Sequence, residues 1–206
     1  MKPYTQLPPF YAQWGEDSWL ADNRQIPDGG VFVDVGAGDG VRGSNSLYFE
    51  NLGWSGLAVD ADPRNAAALS ARRCATSTLA IAPTAGRRPF GMYMEKASWS
   101  GLARSGPGYT PIAIGCAPLE TLLSDLDIGD IDLLSIDVEG TELDVWDSID
   151  HTRHACQMVI IEYDDRLAQR SREHIHRHLG ADRYRAIHET PANLILELQG
   201  NGWARI

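Results

Sequence analysis

The chain places acids and glycines where its apolar runs stop. Asp34, Asp60, Asp137 and Glu162 stand at or just beyond the ends of short aliphatic segments, and Glu139 follows closely after Asp137. The first of those segments, Val31 to Val35 (VFVDV), runs directly into Gly36 to Gly40 (GAGDG). A carboxylate at such a place can accept hydrogen bonds from hydroxyl groups, take up a proton from a reacting group or hold a hard cation. The glycines let the backbone adopt positive φ and approach a ligand closely, and a helix following them offers free N–H groups. A tight strand-to-helix connection with no ligand would need the same glycines.

The elements that must hold these groups alternate along the chain between strand-like and helix-like patterns. Helices are predicted over 16–24, 44–52, 63–73, 119–126, 141–149 and 166–179, and strands over 31–35, 56–59, 77–81, 131–136 and 158–161. Ser44 is the predicted cap of its helix, and Pro63 sits where a first-turn proline is tolerated. Tyr184 to His188 and Asn193 to Leu198 pair as a terminal antiparallel hairpin. Between Pro83 and Pro118 the composition turns to Gly, Pro, Ser and aromatics, with Phe90 to Met94 as its predicted strand. The rhythm implies an α/β fold, a mostly parallel sheet with helices on both faces, whose ligands bind outside the carboxyl ends of the strands. One domain over 1–206 is expected, with an N-terminal helical segment over 1–29 and an insertion over 83–118 that could form a substrate lid.

Composition narrows the functional classes. The 206 residues carry 18 Lys+Arg against 28 Asp+Glu, a net charge of −10, which opposes binding to phosphate backbones and anionic lipids. Cys74, Cys116 and Cys156 are odd in number and widely spaced, so neither a disulfide framework nor a zinc ribbon is implied. Met1 to Phe10 lacks the unbroken apolar run of a secretory leader, and no apolar stretch is long enough to span a bilayer. The expected setting is cytoplasmic, without nucleic acid or membrane as partner.

The glycine spacing separates two cofactor classes. A dinucleotide fingerprint needs a third glycine where this chain has Val41. An acid opening G-x-G-x-G, here Asp34 to Gly40, suits S-adenosylmethionine instead, with Asp60 at the tip of the second strand accepting from ribose hydroxyls. The antiparallel terminal hairpin is characteristic of class I methyltransferases.

Four ordered segments then resemble the FkbM-type methyltransferases: Gln13 to Asp17 (QWGED); Phe32 to Gly40 with Ser44 to Ser46 (SNS); Gly53 to Asp60 (GWSGLAVD) with Pro63; and Ile131 to Gly140 (IDLLSIDVEG) with Glu142. The resemblance implies a Rossmann-like class I methyltransferase fold and S-adenosylmethionine as methyl donor. It further implies O-methylation of a saccharide or secondary-metabolite hydroxyl. By position it puts Asp34, Gly36, Ala37, Gly38, Ser44 and Asn45 on the methionine side of the cofactor and Asp60 on its ribose. Asp137 and Glu139 fall near the sulfonium and acceptor. Asp60 stands where Glu is commoner, and Ser135 where many members have Lys.

Removing the acceptor's proton calls for a base or a metal. Asp137 and Glu139 are the candidate catalytic acids, acting as base or acceptor clamp. By fold-level analogy with metal-dependent catechol-type enzymes, Asp137 and Glu162 could instead hold Mg2+. Tyr93, Trp99 and Tyr109 in the insertion could stack on an acceptor or plug the sheet edge. His174 and His178 lie one helical turn apart among charged neighbours and read as a solvated face. An N-methyltransferase, a cofactor-binding module without catalysis and a nicotinamide-dependent protein are the alternatives. No motif specifies the acceptor or the oligomeric state.

Overall fold

The computed structural model describes residues 9–200 and 202–204. The reading of Met1 to Phe10 as lacking a leader therefore falls mostly outside the described residues. Within the expected N-terminal helical segment the helix is α1, Glu16–Asn23.

Among the described residues the main sheet has seven strands: β1 (Val31–Val35), β2 (Ser55–Val59), β3 (Ala75–Ser77), β7 (Ile131–Ile136), β8 (Cys156–Glu162), β9 (Tyr184–Glu189) and β10 (Asn193–Leu198). Their order is β3-β2-β1-β7-β8-β10-β9, the first five parallel and β10 antiparallel to both neighbours. Strands of a parallel sheet are covered on both faces, which is why these segments read as continuous apolar runs. Phe32, Leu133, Met158, Ile160 and Ile195 face one layer, packed with Leu20, Phe49, Trp54 and Trp203. Val33, Val35, Leu134, Ile136, Val159, Ile161 and Leu196 face the other, under α4 (Leu119–Asp125), α5 (Glu142–Asp147) and α6 (Arg172–Leu179). The two remaining helices, α2 (Leu47–Asn51) and α3 (Ala66–Leu69), follow β1 and β2.

Register aligns the strand ends. Val35 is level with Val59 and Ile136, and Ile136 with Ile161. The next residues along each strand, Gly36, Asp60, Asp137 and Glu162, therefore emerge side by side along one edge.

Several expectations need correction. The helix predicted over 63–73 forms only over Ala66–Leu69, with Pro63 in the turn before it. The strand predicted over 77–81 divides: β3 joins the main sheet, whereas β4 (Ala80–Ile81) turns away and pairs with the insertion. The insertion holds two long strands rather than the single one predicted at Phe90 to Met94. These are β5 (Gly86–Tyr93) and β6 (Tyr109–Ala117), an antiparallel pair that completes a second sheet in the order β4-β6-β5. Pro89 and Pro111 interrupt the sequence signal of both strands; Pro89 lies in the edge strand β5, and Pro111 lies outside Cys116 and Ala117, the part of β6 that β4 pairs with. Finally, the helix predicted over 166–179 begins only at Arg172. Ser171 caps it, its Oγ accepting from the His174 N–H, after a single 3-10 turn at Ala168–Arg170.

Candidate functional site

The glycine turn is locked against the neighbouring strands. The N–H groups of Gly36 and Ala37 both donate to the Val59 carbonyl, at 2.8 and 3.0 Å, and the Asp137 N–H donates to the Val35 carbonyl at 2.9 Å. Gly36 has φ +91°, and a Cβ there would lie 1.7 Å from the Asp137 carbonyl oxygen, so only glycine lets the two strand ends meet. At Gly38, with φ +58°, a Cβ would meet nothing within 4 Å, and the residue opens onto a cleft.

That cleft lies at the carboxyl ends of the strands, where ligands bind in sheets of this kind. Gly36, Gly38 and Asp60 form one side and Asp137, Val138, Glu139 and Thr141 the other. Leu79, Ile81, Phe90 and Leu102 supply an apolar part, drawn from the end of the main sheet and from the insertion. Asp60 is tied into the turn. Its Oδ2 accepts from the Gly38 N–H at 2.9 Å, and its Oδ1 accepts from the Asp62 N–H at 3.0 Å and Asn65 Nδ2 at 2.9 Å. Burial pushes its carboxyl up to about 6, against the lowering influence of these donors.

Beyond the opposite wall the acids crowd. Carboxylate oxygens of Asp137, Glu139 and Glu162 lie within 4.8 Å of one another. Burial raises the Asp137 carboxyl above its usual range, and the charges of Glu139, Glu142 and Asp34 raise it further while Arg170 opposes. Burial and the same neighbourhood raise Glu162 likewise. Two guanidinium groups answer this charge. Arg104, from the insertion, pairs with Glu139. Arg170 pairs with Glu162 and also holds both oxygens of buried Glu142 at 3.1 Å. Glu139 has φ +63°, a left-handed backbone unusual for a residue with a Cβ, which turns the chain sharply between β7 and α5.

A second, open cleft adjoins the first through Glu139. Trp99, Arg104, Tyr109, Glu162, Tyr163 and Pro191 are among its walls. Within the insertion Tyr93 lies 5.2 Å from Trp99 and 5.0 Å from Tyr109, centroid to centroid, so Tyr93 packs against both while Trp99 and Tyr109 also face this cleft. Arg64 fastens the insertion to the rim: it forks onto Asp62 and donates to the Tyr93 carbonyl and Ser100 Oγ at 2.9 and 3.1 Å.

The structure thus brings Gly36, Gly38, Asp60, Asp137 and Glu139 to one cleft, with Glu162 beside it. Ala37 is buried within the glycine turn, and Asp34, Ser44 and Asn45 are buried behind it. Asp34 Oδ2 accepts from Ser46 Oγ at 2.6 Å, Asn45 Nδ2 donates to Ser135 Oγ at 3.1 Å, and Ala37 packs with Ala58 and Leu69. The helix expected from Ser44 begins at Leu47 with Ser46 at its N-cap position, and Ser44 Oγ, in the turn before it, accepts from the Leu47 N–H at 3.1 Å. Sequence reasoning overlooked the arginines that organise these acids, Arg64, Arg72, Arg104 and Arg170. Apart from Asp62 beside Arg64 and Glu162 eight residues before Arg170, their partners are distant in the chain, and neither of those two spacings is a helical one that would mark a pair. The histidines stay outside the site. His188 stacks on Trp19 with centroids 4.4 Å apart, His154 Nδ1 lies 2.7 Å from the Gly129 carbonyl, and His178 pairs with Asp147.

A parallel sheet closed by an antiparallel hairpin, with a glycine turn and strand-end acids facing one cleft, defines a class I methyltransferase fold. The family model for the methyltransferase FkbM domain matches residues 34–186, about three quarters of the chain, and the chain belongs to that family. Comparison with curated proteins finds no match. Among solved structures, the chain is similar to a precorrin-6y C5,15-methyltransferase from Geobacter metallireducens GS-15. The two share 14% identity over 89% of this chain and 88% of that one, with a TM-score of 0.48. The protein is a methyltransferase, and S-adenosylmethionine is the cofactor expected of its family. No helix of the described residues is long and apolar enough to cross a membrane.

Proposed function

We propose that this methyltransferase transfers the methyl group of S-adenosylmethionine to a hydroxyl of a small-molecule acceptor, a saccharide or secondary metabolite. The observation that carries the reading is the shared cleft, with Gly38 and Asp60 on one wall and Asp137 and Glu139 on the other. The residues present fit the cofactor. Open space at Gly38 admits a group against the backbone, Asp60 Oδ2 keeps one lone pair for a ribose hydroxyl, and Leu79, Ile81 and Phe90 suit an aromatic base. When bound, S-adenosylmethionine supplies an electrophilic methyl group on a positively charged sulfur.

This chain's own residues do the rest. The surplus of carboxylates over guanidinium groups beside the cleft favours a cation. Asp137, whose carboxyl is raised toward the pH at which a base is most effective, takes the acceptor's hydroxyl proton as that oxygen attacks. The chemistry gains most from alignment, so the walls that orient the acceptor matter as much as the base. The second cleft, with Trp99, Tyr109 and Tyr163, supports acceptor binding next to Glu139.

The Mg2+ alternative at Asp137 and Glu162, with Glu139 as a third oxygen donor, has suitable ligand chemistry. However, Arg104 and Arg170 already engage Glu139 and Glu162, and a divalent cation would have to displace or face both guanidinium groups. The residues present do not fit a resident metal.

A transfer assay with methyl-labelled S-adenosylmethionine and a panel of polyols, sugars, phenols and amines tests the reading. Label in hydroxyl acceptors, lost in Asp137→Asn, is expected. Label confined to amines would favour N-methylation, and uptake of cofactor without transfer to any acceptor would favour a binding module.

A further inference from the structure

Behind the glycine turn a single arginine joins the end of the turn to α2 and, through Ser46, to Asp34. Arg72, just past the end of α3, is buried and directs its guanidinium into the polar layer beneath the cleft. Nη1 donates to the Gly40 carbonyl at 2.8 Å, Nη2 donates to Ser46 Oγ at 3.2 Å, and Nε donates to Glu50 Oε2 at 2.7 Å. Ser46 Oγ in turn donates to Asp34 at 2.6 Å, so the same guanidinium answers the charge of Asp34 through one hydroxyl. Its carbon lies 5.5 Å from the centre of the Phe32 ring, fixing it against β1.

Two features make this more than a buried ion pair. The Gly40 carbonyl belongs to the turn itself, and a Cβ at Gly40 would come within 3.0 Å of Arg72 Cγ, so the side chain is packed directly against the turn. Glu50, the charge partner, lies in α2, while Gly40 and Asp34 lie in and just before the turn. The planar fork of arginine joins all three directions at once, which a point charge on a lysine does not do.

We infer that Arg72 is a positioning residue for the cofactor, setting the path of the Gly36 to Gly40 turn from behind without touching the cleft. The inference rests on the cofactor reading above. If Arg72 only neutralised Glu50, removing both charges together would restore the protein, because replacing both members of a buried pair is far milder than orphaning one. If Arg72 positions the turn, removing both leaves the Gly40 carbonyl unheld and the cofactor still binds poorly.

The test compares wild type, Arg72→Lys, Arg72→Met and the double variant Arg72→Met with Glu50→Gln, by thermal unfolding and by calorimetric titration with S-adenosylhomocysteine. Arg72→Met is expected to lose much of its stability. The double variant is expected to regain stability but to bind S-adenosylhomocysteine about tenfold or more weakly than wild type, as for loss of a charged hydrogen bond. Its KM for S-adenosylmethionine is expected to rise more than its kcat falls, with Arg72→Lys intermediate. A double variant that binds as tightly as a wild type that itself binds overturns the inference and leaves the cofactor reading standing. If wild type takes up no S-adenosylhomocysteine, it is the cofactor reading that fails, and the inference falls with it.

Discussion

The backbone N–H of Gly38 donates to Asp60 Oδ2 at 2.9 Å, joining the turn after β1 to the tip of β2 across the floor of the cleft. The carboxylate that is free to receive the cofactor's ribose is thus the one that holds the glycine turn in place. Burial pushes Asp60 up to about 6, with Asp62 adding repulsion. Protonation would turn an acceptor oxygen into a donor, so affinity for S-adenosylhomocysteine is expected to fall as pH drops through that value. Titrations from about pH 8 to about pH 5 should show this limb in wild type and its absence in Asp60→Asn, which binds weakly throughout.

Gly36 and Gly38 should respond differently to alanine. At Gly36 the new Cβ would meet the Asp137 carbonyl at 1.7 Å, so Gly36→Ala is expected to cost about 3 kcal/mol or more and to lower the unfolding midpoint markedly. At Gly38 no atom stands within 4 Å, and only the left-handed backbone is strained, about 1–2 kcal/mol. Gly38→Ala should therefore fold, yet lose cofactor affinity because the methyl group projects into the cleft. Denaturant melts beside calorimetric titrations check both.

Asp137→Asn separates function from stability. Burial and the charges of Glu139, Glu142 and Asp34 raise the Asp137 carboxyl in the folded state. A carboxyl raised on folding holds more protons in the native than in the unfolded chain. Its stabilising contribution is complete below the usual carboxylate range and is lost as pH rises through the folded value. Asp137→Asn is therefore expected to raise stability by about 1–2 kcal/mol near pH 8, allowing for the group's partial exposure, and to change little near pH 4. Turnover should fall about a hundred- to ten-thousandfold with cofactor binding retained.

Chelation should leave methyl transfer unchanged. Prolonged treatment with EDTA, followed by assay with and without added Mg2+, checks this. Activity lost on chelation and restored by the metal would reinstate Asp137, Glu139 and Glu162 as ligands.

The strand ends were legible in the sequence because a buried parallel strand must be largely apolar and must stop where it meets solvent. Val31 to Val35 and Ile131 to Ile136 are mostly apolar, interrupted by Asp34 and by Asp132 and Ser135, and the acids after them fell where the register places them. The terminal hairpin of β9 and β10 was also expected, as two short runs separated by Thr190 to Ala192, and it forms as an antiparallel pair. The second sheet was not legible. Its strands β5 and β6 carry Pro89, Gly91, Pro111 and Gly115, are covered mainly by each other, and lack the continuous apolar run of a central strand. The arginine partners were hidden because an ion pair such as Arg170 with Glu142 depends on the fold bringing them together, not on helical or strand spacing. Asp34, Ser44 and Asn45 were found as polar residues of the site region, but only packing shows that they lie behind the turn rather than along the cleft.

The most direct test is a calorimetric titration of the wild-type protein with S-adenosylhomocysteine and, in parallel, with NADH. Saturable heat from S-adenosylhomocysteine and none from NADH is the expected result, in keeping with Val41 at the place of a third fingerprint glycine and with Asp60 beside Gly38 in the cleft. Heat from NADH, or none from S-adenosylhomocysteine, would contradict the assignment of this cleft to the methyl donor.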